Sequence, residues 1–183
     1  MIRVVFVCTG NICRSPSAEA VLTRLVADAG LSDQVAVASA GTGRWHVGDD
    51  ADPRTLRALR HRGYELRHSA RQFTQSWYDE HDLVVALDRS HREDLLAMRP
   101  GAEVHLLREW DPQGPGDVPD PYYGDAADFE EVLDQVERSC RGLLEEMRGR
   151  LDHAPNRRAS RARGHRHLLA HRHRGARWRP GLG

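Results

Sequence analysis

The run Ile2-Arg3-Val4-Val5-Phe6-Val7 passes directly into Cys8-Thr9-Gly10-Asn11-Ile12-Cys13-Arg14-Ser15-Pro16. Apart from Arg3, the first run is a continuous apolar β-former stretch, which reads as a buried strand. From Ser15 to about Gly30 the pattern turns helical. Ala18, Val21, Leu22, Leu25 and Val26 share one face, and Gly30 is a stop signal. A buried strand that hands over to a helix through so short a loop is half of a βαβ unit. It points to an α/β sheet.

The rest of the body repeats the alternation. Gln34–Ala40 reads as a second strand. Asp52–Arg62 reads as a helix with Pro53 at its first position and Gly63 after its end. Asp82–Leu87 is a third strand, followed by a helix near Ser90–Met98 that Pro100-Gly101 closes. Glu103–Leu107 is a short fourth strand. Asp128–Arg150 is a long helix carrying Phe129, Val132, Leu133, Val136, Cys140, Leu143, Leu144 and Met147. The expected fold is α/β: a doubly wound, four-stranded parallel sheet with helices on both faces. Ligands of such sheets bind beyond the carboxyl ends of strands, which is where Cys8 stands.

Charge divides the chain. The 183 residues carry 27 basic and 27 acidic side chains, and every basic one is Arg. Residues 152–183 hold nine Arg, five His and one Asp, which leaves residues 1–151 with a net charge of −8. We therefore expect a domain over 1–151 and an Arg/His-rich, disordered tail over 152–183, too poor in apolar residues to offset its ordering entropy. Nucleic-acid contact is expected at most through that tail, as is adventitious metal binding by His165, His167, His171 and His173. Three cysteines, Cys8, Cys13 and Cys140, do not make a secreted disulfide scaffold. No apolar stretch reaches membrane-spanning length, and the N-terminus lacks the pattern of a signal peptide. A cytoplasmic location, without membrane contact, is expected.

The loop carries the chemistry. Five residues separate Cys8 from Arg14, enough to curl successive N–H groups onto one point at a helix N-terminus. Both features favour a bound anion. Gly10 and Asn11 tolerate the left-handed backbone that the curl needs. Arg14 offers an always-charged bidentate clamp for phosphate. The same field favours the thiolate of Cys8, placed for in-line attack on phosphorus. Ser15 can steady that thiolate. Leaving-group protonation then calls for an acid from elsewhere. In Val118-Pro119-Asp120-Pro121-Tyr122-Tyr123-Gly124, two prolines hold Asp120 in a rigid extended loop, and Tyr122 and Tyr123 can wall a flat substrate ring.

These segments together resemble the low-molecular-weight protein tyrosine phosphatases, from residue 2 to about 150. The resemblance implies metal-free, cofactor-free hydrolysis of phosphotyrosine on partner proteins. It makes Cys8 the nucleophile, Arg14 the clamp and Asp120 the general acid and base. Thr9, Gly10, Asn11, Ile12, Cys13 and Ser15 complete the phosphate loop. It implies a supporting network of Asn11, Ser15, Ser39 and His68, a supporting carboxylate at Asp88, and Trp45 at the pocket mouth. It also implies that Cys13 can form a reversible disulfide with Cys8. On the residues alone, Asp88 also stands where an N-cap belongs, and Trp45 suits core or rim equally.

Three other readings are set against this one. An arsenate reductase on the same fold needs further thiols, and Leu87–Glu93, their usual place, has none. A phosphoarginine phosphatase carries Thr at the position of Ile12. A phosphate-loop binding module with a nucleic-acid-contacting tail would not need an intact Cys8, Arg14 and Asp120.

Overall fold

The computed structural model describes residues 1–154. The four parallel strands are β1 (Ile2–Cys8), β2 (Val35–Gly41), β3 (Leu83–Ala86) and β4 (Val104–Leu106), in the order β2-β1-β3-β4. The helices are α1 (Arg14–Asp28), α2 (Pro53–His61), α3 (Ser76–Glu80), α4 (Arg89–Met98) and α5 (Ala126–His153). The expected fold class and all four strands are present, with boundaries within one residue.

β1 is central. It pairs with β2 along its whole length, Ile2 with Val35 through Cys8 with Gly41, and with β3 from Val4–Leu83 to Val7–Ala86. The chain runs from β1 out to β2 and then returns past β1 to β3 and β4, so the winding reverses at β1 and a crevice opens beyond its carboxyl end. Val4, Val5, Phe6 and Val7 are all fully buried. Val5, Val7, Ala40, Val84, Ala86, Val104 and Leu106 form one layer with Phe73 and Leu95. The alternate residues Val4, Phe6, Leu83 and Val85 point the other way and are buried equally.

Local chemistry explains the helix ends. Asp52 caps α2 by accepting from the Arg54 amide, with Pro53 at the first helical position. Gly63, at φ 82°, takes the left-handed stop beyond it. Asp88 caps α4 by accepting from the His91 amide at 3.0 Å. Two elements go beyond the sequence reading. One is α3, held by Trp77 and Tyr78 against Phe73, with ring centroids 5.8 and 4.9 Å away. The other is a 3-10 turn over Leu107–Trp110.

Met1–Arg148 form one compact unit. Gly149–Gly183 separate as a second, of which only the end of α5 and Ala154 are described. The expected boundary after residue 151 falls within the last turn of α5. The tail beyond 154, with its four histidines, lies outside the described residues. Among the described residues, no helix is long and apolar enough to cross a membrane.

Candidate active site

The loop from Cys8 to Arg14 closes over the end of β1 because neighbouring backbone pins it. The Cys8 and Thr9 carbonyls accept from the Thr42 and Gly43 amides at 2.8 and 2.9 Å, and the Ile12 carbonyl accepts from the Asp52 amide at 2.9 Å. Gly41 lies so close that an added Cβ would sit 2.6 Å from the Thr9 carbonyl oxygen. Asn11 supplies the sharp bend, with φ 56°, the sole non-glycine positive φ among the described residues. No side chain caps the N-terminus of α1, and its first turn holds no acid. Its N–H groups therefore present positive charge to the loop.

A hydrogen-bonded chain fixes the loop from below. The Cys8 sulfur is 2.9 Å from the Ser15 hydroxyl. The Asn11 amide nitrogen donates to both Ser15 and Ser39 hydroxyls, each at 2.9 Å. Ser39 in turn donates to Glu19 at 2.8 Å. The Asn11 side-chain oxygen accepts from the Arg71 amide. His68 donates from Nε2 to the Asn11 carbonyl at 2.6 Å, with Nδ1 3.8 Å from Glu19. Every polar group of Asn11 except its own amide is thus accounted for, which offsets the cost of its left-handed backbone.

Arg14 is buried and held on one side. Nη1 donates to Asp88 at 2.7 Å and to the Val118 carbonyl at 3.0 Å. Bidentate contact with an oxyanion therefore falls to Nε and Nη2. Burial pushes the Asp88 carboxyl up, but donors from Ser90, the His91 amide and Arg14 hold it below the ordinary carboxylate range. Asp88 both caps α4 and supports the clamp. Asp120 reaches the site on its Pro119–Pro121 loop. Val118 anchors that loop through its amide to the Leu87 carbonyl and through its own carbonyl to Arg14. Asp120 Oδ2 lies 3.7 Å from Arg14 Nη2, with the side chain 55% exposed.

One pocket gathers these groups. Cys8, Thr9, Gly10, Ile12, Cys13 and Arg14 form its floor; Trp45, His46, Asp120, Tyr122 and Tyr123 form its walls and rim. Trp45 is 75% exposed, so it belongs to the rim and not to the core. The Tyr122 and Tyr123 rings meet edge to face at 4.9 Å. An aromatic slot over an anion cradle with a sulfur at its base suits an aryl phosphate.

A profile of the low molecular weight phosphotyrosine protein phosphatases matches residues 3–152. The chain belongs to that family. It is 54% identical over 157 residues to a low molecular weight protein-tyrosine-phosphatase of Streptomyces coelicolor, covering 82% of this chain and 96% of that relative. A protein tyrosine phosphatase of Entamoeba histolytica, crystallised with Hepes in its active site, superposes with TM-score 0.79 at 31% identity, covering 81% of this chain and 98% of that one. The YwlE arginine phosphatase superposes with TM-score 0.74 at 29% identity, covering 86% and 99%.

The structure brings together every candidate site residue named from the sequence. It adds Glu19, His46 and His91, which sequence reasoning missed. Cys13 is buried within the loop, beside Thr55. Burial pushes its thiol up to about 12, with the nearby Asp52 and Cys8 charges adding to the effect. Cys140 is fully buried against the Ala18 carbonyl, and burial pushes its thiol well up.

Proposed function

We propose that this family member hydrolyses phosphotyrosine on partner proteins through a covalent phosphocysteine at Cys8. The observation that carries the reading is the convergence of Cys8, Arg14 and Asp120 in one aromatic-rimmed pocket. The phosphate sits over the loop, on its amides and on Nε and Nη2 of Arg14. The Cys8 thiolate attacks phosphorus as the P–O bond to tyrosine breaks. Asp120 gives its proton to the departing phenolic oxygen. Asp120 then takes a proton from a water that attacks the same phosphorus. The S–P bond breaks, phosphate leaves, and the sulfur departs as a thiolate steadied by Ser15. Arg14 and the loop amides carry the charge neutralisation, so neither step calls for a metal. A cytoplasmic location goes with this reading.

Cys140 argues against an arsenate-reducing relay, since a thiol sealed in the core cannot exchange with the loop. The likeness to the YwlE arginine phosphatase keeps phosphoarginine as the second reading. Ile12, Trp45 and the tyrosine pair favour the aromatic ester. The test is hydrolysis of matched phosphotyrosine and phosphoarginine peptides, with arsenate reduction measured alongside. Preferential turnover of the tyrosine ester is expected. Faster release from phosphoarginine, or thiol-dependent arsenate reduction, would replace this reading.

A further inference from the structure

His91 is 1% exposed, and its ring stands between α4 and the phosphate loop. Its Nε2 lies 3.3 Å from Arg14 Nη2 and 2.9 Å from the Thr9 hydroxyl. Its Nδ1 makes no full hydrogen bond but lies 3.2 Å from Asp88 Oδ1. These neighbours fix the tautomer. A guanidinium can only donate, so Nε2 must accept; the carboxylate draws the proton to Nδ1. Burial, then the Arg14 charge, hold the imidazole neutral, down at about 4, against the opposing pull of Asp88, Asp94 and Asp120.

We propose that His91 is a positioning residue for the phosphate clamp, its Nε2 lone pair fixing the plane of the Arg14 guanidinium. The inference rests on the phosphatase reading above. Asp88 and Val118 hold the guanidinium at its Nη1 end only. A second point of attachment at Nη2 fixes the other end of its plane. It leaves the remaining Nη2 proton and Nε aimed at the phosphate. The Thr9 hydroxyl on the same nitrogen ties the first loop residue to the same support. Without His91, Nη2 is drawn toward Asp120, its other near neighbour. That would misplace both the clamp and the acid.

The test compares wild type with His91→Leu, His91→Gln and His91→Asn. The measurements are inorganic phosphate binding by calorimetry, kcat and KM for a phosphotyrosine peptide, and thermal melting. A hydrogen bond to a charged group implies a loss of about 10- to 100-fold in phosphate affinity and kcat/KM for Leu. Gln can set an amide oxygen where Nε2 was and should recover most of both. Asn reaches only the Nδ1 position and should not. Melting temperature should not track this order. Wild-type phosphate affinity in the Leu variant, or equal losses in Gln and Asn, would overturn the proposal; the Gln–Asn contrast decides the matter even where Leu fails to fold. Phosphate binding reads the clamp whether or not the peptide is turned over. A wild type that binds phosphate but leaves the peptide intact would count against the phosphotyrosine reading alone.

Discussion

The Cys8 sulfur and the Ser15 hydroxyl oxygen lie 2.9 Å apart, on two buried residues at the base of the pocket. Asn11 already donates to that hydroxyl, so the hydroxyl's own proton goes to the sulfur or to the Ala40 carbonyl at 3.4 Å, and the sulfur is the nearer acceptor. In the proposed reaction the bond is strongest when the sulfur is an anion, as it is before attack and after the second step. Ser15→Ala should therefore slow breakdown of the phosphocysteine more than its formation. A hydrogen bond to a charged group sets the loss at about 10- to 100-fold. Rapid-quench kinetics should show a burst of tyrosine product in the variant; a uniform slowing of both steps would mean that Ser15 only shapes the loop.

Asp120 is more exposed than the rest of the machinery and bonds through Oδ1 to the Tyr122 amide. As a proton donor it should matter most for poor leaving groups. Asp120→Ala is expected to slow phosphotyrosine turnover by roughly 10²–10⁴-fold. An aryl phosphate with a much more acidic phenol should lose less. Identical losses for both substrates would assign Asp120 to holding the loop.

Asn11 combines a left-handed backbone with a network of side-chain bonds. Asn11→Gly keeps the backbone freedom and loses the network; Asn11→Ala loses both. Both variants should lose activity through a slack loop. Ala should also be less stable than Gly by about 1 kcal/mol, since only glycine takes positive φ without cost. Urea unfolding midpoints measure that gap, and Ala equal to or above Gly would contradict it.

The buried His91 also makes stability depend on pH. Its folded-state value is depressed from the ordinary 6.5 to about 4. The unfolded chain then binds the extra proton first as pH falls. The contribution is fully present above 6.5 and is lost progressively on acidification through about 4, about 3 kcal/mol in all. Titrating the unfolding free energy of wild type and His91→Gln between these values should show a steeper fall in wild type. Parallel curves would mean that the ring is protonated in the fold.

The sheet was legible because β1 is apolar and buried from Val4 onward and helical patterns alternate with the strands. Helix α2 could be bounded nearly to the residue, since Asp52, Pro53 and Gly63 each act within the local chain. Short segments were not legible. Helix α3 spans five residues, too few to show a period, and exists because Trp77 and Tyr78 pack on Phe73. The proposed catalytic trio, Cys8, Arg14 and Asp120, could be read from loop composition. Glu19 and His91 could not. Glu19 is one more surface-like acid of α1 until the fold sets it beside Ser39, and His91 meets Arg14 across 77 positions of chain. The one available hint was the place of His91 three residues after the helix-capping Asp88.

The central claim is a covalent bond between Cys8 and phosphorus. The most direct test mixes enzyme and phosphotyrosine peptide in EDTA, quenches in acid within the first turnover, and maps phosphate on the chain by mass spectrometry. The account predicts an adduct on the peptide containing Cys8 and neither adduct nor turnover in Cys8→Ser treated alike. Turnover that persists in Cys8→Ser, or that needs the metal EDTA removes, would contradict it.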